Sequence, residues 1–183
     1  GEVTASYRHD ATDASTLPSE AVSALAVEDG MLWVGTSDGL ARLDVASGAV
    51  ERIRSDSLGV LNVSTVRPSA AGGLLVGTFG KGLYRYRGDR FTRVSLGGDV
   101  LGDVVSAVYE DSDGAIWVGT IGGGLRRVRP GDDGLAVYTH RDDEPSSLAD
   151  DQVSALLEDR QGVLWVGTYG GLDRFDRARG SVA

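Results

Sequence analysis

The chain has no cysteine, so disulfide staples and thiolate metal sites are excluded. That absence fits either redox compartment. Proline is scarce, 4 among 183 residues, which excludes a disordered proline-rich linker. Basic charge is in deficit: 18 Lys and Arg face 27 Asp and Glu, a net charge of −9. A nucleic-acid partner needs a basic surface, and so does an anionic membrane, so neither is expected. Solubility is sufficient reason for the acidic balance. No apolar run approaches the ~20 residues of a membrane helix. No secretory leader opens the chain, as expected of a mature or excised domain. Apolar residues at a 3.6 period are missing throughout, which argues against helices. No glycine-rich stretch follows a strand and opens a helix, so phosphate-loop readings fail. There is no nucleophile elbow and no metalloprotease helix pattern. Asp111-Ser112-Asp113-Gly114 lacks the twelve-residue ligand set of a calcium loop. Neither cofactor nor metal is therefore expected.

Glycine, in contrast, is abundant at 27 residues, and it recurs in register. Leu164-Trp165-Val166-Gly167-Thr168 returns as Leu32 to Thr36 and as Ile116 to Thr120; in Leu74 to Thr78 leucine replaces the tryptophan. The Trp position of the motif falls at 33, 75, 117 and 165. A period of roughly forty to fifty residues marks a repeat architecture. Each copy follows a Val-Ser pair, at Val22, Val63, Val105 or Val153. The step from Val22 to Trp33 is one position shorter than the matching step in the other three copies. Between valine and tryptophan lies an Asp- or Gly-bearing turn, and a second glycine turn follows the threonine. Runs of β-prone residues around such turns read as antiparallel strands, a to d in each unit.

A four-stranded unit of roughly forty residues has the size of a β-propeller blade. The expectation is an all-β chain and a single domain over 1–183. Its four blades span about 21–56, 62–96, 104–142 and 152–183. The tryptophans should fill the space between blades, and the glycines should let neighbouring backbones approach. Leu75 fills less volume, so the second blade should be the looser one. Tyr7 and His9 stand fifteen and thirteen residues ahead of Val22, as Tyr138 and His140 do ahead of Val153. Residues 3–8 therefore read as an outer strand d. The fourth repeat stops after its strand c, so this N-terminal strand is expected beside Leu172 to Phe175, completing the last blade and hiding an edge. Closure within one chain gives a four-bladed ring; closure on a second copy gives an eight-bladed homodimer. A third reading is a fragment of a longer propeller.

The segment from Tyr138 to Asp176 resembles the two-component regulator propeller repeat. The resemblance rests on Tyr138 and His140, Ser147-Leu148, Val153-Ser154, Glu158-Asp159 with Gly162, Leu164 to Thr168, Gly170-Gly171-Leu172, and Arg174 with Asp176. The first and third repeats match well, and the second is degenerate. The resemblance implies an extracytoplasmic, hence periplasmic or extracellular, sensor region of a hybrid histidine kinase or related regulator, often glycan-responsive. Family ectodomains typically carry more repeats, in rings of about seven blades. Kinase and receiver motifs are absent from these residues, so no catalytic residue is assigned.

Function on a propeller gathers at one end of the channel, on the b–c and d–a loops. The residue after each Gly-Thr differs: Ser37, Phe79, Ile121, Tyr169. Asp38, Phe79, Lys81 and Tyr169 are the ligand-binding candidates, for a small molecule or an oligosaccharide. Aromatics stack on sugar rings and charges fix polar groups. Ordinary turn residues would look the same in sequence. The d–a loops, Asp10 to Glu20 and Asp142 to Asp151, come next. His9 and His140 read as hydrogen-bonding framework residues. Two other functions compete: a structural or protein-binding scaffold, and an enzyme of the streptogramin lyase kind, which would need a histidine or paired carboxylates at the channel mouth.

Overall fold

The structure, a computed structural model, describes residues 5–55, 58–97, 103–129 and 134–182. The first blade consists of β1 (Val22–Glu28), β2 (Met31–Thr36), β3 (Gly39–Asp44) and β4 (Val50–Ile53). The second consists of β5 (Val63–Pro68), β6 (Leu74–Thr78), β7 (Leu83–Arg87) and β8 (Arg90–Val94). The third holds β9 (Val105–Glu110), β10 (Ile116–Thr120), β11 (Leu125–Val128) and β12 (Leu135–Tyr138). The fourth holds β13 (Val153–Glu158), β14 (Leu164–Thr168), β15 (Leu172–Asp176) and β16 (Ser181–Val182). Each blade is an antiparallel meander in chain order. In every blade the Val-Ser pair forms a bulge at the start of strand a, with register shifts at Val22/Ala24, Val63/Thr65, Gly119/Thr120 and Val153/Ala155.

Strand b is the buried centre. Leu74, Leu75, Val76, Ile116, Trp117 and Val118 are all at most 1% exposed. Such strands are covered on both faces, which is why they read as continuous apolar runs rather than as an alternation. The inner strands pack in sequence, β1 on β5, β5 on β9 and β9 on β13. The blades therefore form an arc whose apolar clusters lie between successive sheets. Trp33 sits with Leu61, Val63 and Tyr86 between the first two blades. Leu75 sits with Leu96, Val105 and Ile116 between the second and third, and Trp117 with Leu148, Val153 and Phe175 between the third and fourth.

The turn between strands a and b explains the shorter valine-to-tryptophan step of the first blade. There Asp29 and Gly30 take φ of 50° and 77°, a tight hairpin turn that glycine and aspartate tolerate. The third and fourth blades use a longer turn led by Asp111 or Asp159. Each aspartate accepts from two turn N–H groups and from the tryptophan indole, Trp117 Nε1 to Asp111 Oδ2 and Trp165 Nε1 to Asp159 Oδ2, both at 2.8 Å. The shorter turn supplies no such carboxylate, and among the described residues the buried Trp33 Nε1 has no hydrogen-bond partner.

The expected N-terminal closing strand is corrected. Residues 3 and 4 lie outside the described residues, and residues 5–8 form no strand. The outer neighbour of β15 is β16, pairing Phe175 with Val182 and Asp176 with Ser181. The chain turns back on itself there, with Gly180 N–H donating to the Asp176 carbonyl at 2.8 Å. A local turn costs far less closure entropy than recruiting a strand from the far end of the chain. The N-terminal segment instead lies on the first blade. The Tyr7 hydroxyl stands 3.1 Å from a Cβ built on Gly48, as the Tyr138 ring stands 3.0 Å from one built on Gly180.

Candidate functional site

The b–c loops share one backbone design. The threonine that ends strand b donates its hydroxyl to a glycine carbonyl closing the loop: Thr36 to Gly39 (2.9 Å), Thr78 to Gly82 (2.7 Å), Thr120 to Gly124 (2.8 Å) and Thr168 to Gly171 (3.0 Å). The Gly-Thr part of the repeat is thus a loop clamp. The loops of the second and third blades also meet the start of the following blade. Gly80 and Gly82 N–H groups donate to the Asp103 carbonyl at 2.8 and 2.9 Å, and Gly122 and Gly124 to that of Asp151 at 3.2 and 3.0 Å. The second, third and fourth blades thereby share a continuous rim. The residue after the threonine is left free to vary: Phe79 is 48% exposed and Tyr169 70%.

The four predicted residues all sit on b–c loops, one at the first blade, two at the second and one at the fourth, and Asp38 is the one of them that lines the cavity at the first blade. Asp38 is exposed and borders a cavity of about 320 Å³ between the first blade and its connection to the second. Pro18, Leu40, Arg52, Arg54 and Val60 also line it. Lys81 lies outside that lining and is engaged: its ammonium donates to the Leu58 carbonyl at 2.6 Å and to the Val60 carbonyl at 2.9 Å. It ties the second blade's loop to the stretch that walls the cavity. Phe79 and Tyr169 stand on separate loops of the rim.

Two arginines of this cavity escaped the sequence reading. Arg52 donates Nε to the Thr16 carbonyl at 2.7 Å and Nη2 to the Asp10 and Asp13 carbonyls at 2.8 Å, so it fastens the loop over residues 10–16. Arg54 is exposed and shares the cavity lining with Asp38 and Arg52, so the lining carries two guanidinium groups and one carboxylate. Arg54 lies just beyond a strand d, outside the repeat framework, and carries no motif that would have marked it.

The d–a loops are ordered by the two histidines. His9 Nδ1 lies 2.8 Å from the Leu17 carbonyl and His140 Nδ1 2.6 Å from that of Leu148. His140 Nε2 also lies 3.0 Å from Asp142. The Leu148 carbonyl, and then the Asp142 carboxylate, raise the His140 pKa above its ordinary value of 6.5. Asp10 and Asp13 are held below the usual carboxylate value, first by the Thr12 and Ser15 hydroxyls respectively. Among the described residues no group of three or more His, Cys, Asp or Glu is placed to hold a metal ion. No helix there is long and apolar enough to cross a membrane.

Residues 99–122 and 147–170 match the family model of the two component regulator propeller. No curated protein matches the chain in sequence. Among solved structures it is similar to the extracellular domain of the hybrid two component system BT3049 from B. thetaiotaomicron. The identity is 23% and the TM-score 0.74, over 93% of this chain and 23% of that one. The extracellular domain of the B. thetaiotaomicron hybrid two component system BT4673 gives 21% identity and a TM-score of 0.74, over 91% and 21%. Virginiamycin B lyase from Staphylococcus aureus gives 13% identity and a TM-score of 0.69, over 89% and 54%. The chain thus spans about a fifth of the length of the two extracellular domains. The strand order and the loop clamp are those of β-propeller blades, and two stretches of the chain, in the third and fourth blades, match the two component regulator propeller repeat.

Proposed function

We propose that this propeller segment is the ligand-receiving part of an extracytoplasmic sensor in two-component signalling, with no chemistry of its own. Its ligand is a small polar molecule or an oligosaccharide held on the b–c rim. One observation carries the reading: Asp38 and Arg54 line a cavity with the apolar side chains of Pro18, Leu40 and Val60 in its wall. A concave, partly apolar site of about 300 Å³ with a few convergent polar groups is the size and make-up of a small-ligand pocket. Asp38 accepts from hydroxyls and Arg54 donates to them, the pairing that a sugar or a zwitterion needs. Phe79 and Tyr169 offer exposed aromatic faces further along the rim, and Lys81 keeps the intervening loop in place. The extracellular character of the B. thetaiotaomicron domains supports a periplasmic or extracellular setting.

A thermal-shift screen of oligosaccharides tests the proposal. A ligand at a hundred times its Kd adds about 2.7 kcal/mol, or roughly 5–11 °C in a domain of this size. The expected result is a hit whose shift disappears in Asp38→Ala and in Arg54→Ala. No hit across the screen, or a shift that survives both substitutions, would count against this site. Stabilisation by a protein partner alone would favour the scaffold reading.

A further inference from the structure

The second blade is basic in an acidic chain. Between Val63 and Val94 stand six of the 18 basic residues, Arg67, Lys81, Arg85, Arg87, Arg90 and Arg93, and one of the 27 acidic residues, Asp89. Three of the cations have partners. Lys81 is held by backbone carbonyls, Arg93 pairs with Asp103, and Arg85 Nη1 donates to Ser69 Oγ at 2.6 Å. Arg67, Arg87 and Arg90 are exposed, and among the described residues they have no ion pair or side-chain hydrogen bond.

Two of these free arginines oppose each other. Arg87 on β7 is the register partner of Arg90 on β8. Like charges directly opposite across a sheet destabilise it. Asp89 accepts from the Tyr86 hydroxyl at 2.8 Å, and Tyr86, the strand neighbour of Arg87, points to the other face of the sheet. The first blade handles the same edge differently. There Arg42 is answered by its cross-strand partner Glu51, Nη2 to Oε2 at 2.7 Å. Arg85 has the place of Arg42 in the repeat, and its cross-strand partner is Thr92. At the place of Arg87 the third blade has Arg129, whereas the first and fourth have Asp44 and Asp176, whose carboxylates accept from N–H groups of the following turn.

β8 is also an open edge. It bonds to β7 on one side, and among the described residues no backbone group pairs with its outer side. The second blade is packed between the first and the third, so blades added at either end of the arc would not reach this outer strand. One charge on an edge strand is enough to discourage pairing with its own kind. A directly opposed pair costs stability beyond that, and the cost is removed when carboxylates arrive.

We propose that β8 is a docking edge for an extended acidic segment of a partner protein. The segment adds to the second blade as a fifth strand and sets Asp or Glu side chains against Arg87 and Arg90. Backbone hydrogen bonds supply the affinity, and guanidinium–carboxylate pairs supply the selectivity. A duplex nucleic acid or an anionic bilayer would spread beyond one blade and meet a chain of net charge −9, whereas a single strand touches this edge alone. Arg87 and Arg90 flank the c–d turn, at the opposite end of their strands from the b–c loops, so a docked segment leaves the cavity beside Asp38 open.

Fluorescence polarisation with the 183-residue chain and a labelled peptide of alternating Glu and Thr tests this. The peptide should bind at low salt and weaken as ionic strength rises. Arg87→Ser combined with Arg90→Ser should weaken it by about tenfold or more. The same peptide with N-methylated amides should lose binding, because it cannot complete a strand ladder. Arg90→Glu should reverse the preference, taking a Lys-Thr peptide in place of the Glu-Thr one. It should also melt no lower than the parent, since it turns a repulsive cross-strand pair into an attractive one. No binding of the Glu-Thr peptide, binding that survives the double substitution, or indifference to N-methylation would overturn the proposal. So would a sulfated oligosaccharide that binds where the peptide does not, which would make the patch a glycan site. A lower melting temperature for Arg90→Glu would assign the arginine pair to the fold and refute the docking edge.

Discussion

Two tryptophans at the same place in the repeat should respond differently to one substitution. Trp117 and Trp33 are both buried, at 0% and 7% exposure. The Trp117 indole donates to Asp111 at 2.8 Å, whereas the Trp33 indole has no acceptor among the described residues. Replacement by phenylalanine removes a similar volume at each site and costs about 1–2 kcal/mol, well below the ~3–5 kcal/mol of truncation to alanine. At Trp117 the change also removes a hydrogen bond to a carboxylate, worth about 1.5–3 kcal/mol. At Trp33 it removes a buried donor whose unsatisfied state costs about 1–3 kcal/mol. Trp117→Phe should therefore lose about 3–5 kcal/mol, and Trp33→Phe should stay within about 1 kcal/mol of the parent. The gap of roughly 3 kcal/mol corresponds to about 6–12 °C in Tm for a chain of this length. Urea titration and thermal melts followed by circular dichroism would measure both. Equal losses would refute the claim that the shorter first turn strands the Trp33 indole.

The interblade glycines and the loop-bound titratable groups give further expectations. Gly119→Ala places a Cβ 2.6 Å from Val153 Cγ1, so it should destabilise by about 1–3 kcal/mol in urea titration; a neutral result would mean that the third and fourth blades part freely. The Asp159 carboxyl is held below its ordinary 3.8, first by the Trp165 indole and then by the Val163 N–H. A depressed folded-state value contributes stability that is present above the ordinary value and lost as pH falls through the depressed one. Trp165→Phe should move the Asp159 midpoint upward in carboxyl-detected NMR, and an unmoved midpoint would assign the shift elsewhere. His140 has the opposite sign. Its raised pKa contributes stability below 6.5 that is lost as pH rises through the raised value, and Asp142→Asn should bring its NMR midpoint down.

The strand plan was legible in the chain because blade physics is local. A strand buried on both faces must be a continuous apolar run, and tight turns need glycine or aspartate. The repeated Gly-Thr motif and its flanking turns therefore announced strands a to c of every sheet and the outer strands of the first three, but not Ser181–Val182 in the fourth. The rim positions of Asp38, Phe79, Lys81 and Tyr169 followed from the same periodicity.

What the side chains do there depended on neighbours distant in sequence. Lys81 is occupied by the carbonyls of Leu58 and Val60, and Arg54 joins Asp38 only because the connection to the second blade folds back over the first. The edge of the last blade was likewise decided in three dimensions. Two segments compete for the place of an outer strand, and the nearer one, Ser181–Val182, lies beside β15 because a short turn brings it there at little entropic cost. Periodicity names the units of a repeat chain; which side chains fill the space between them is settled by packing, here Val153 buried against Gly119.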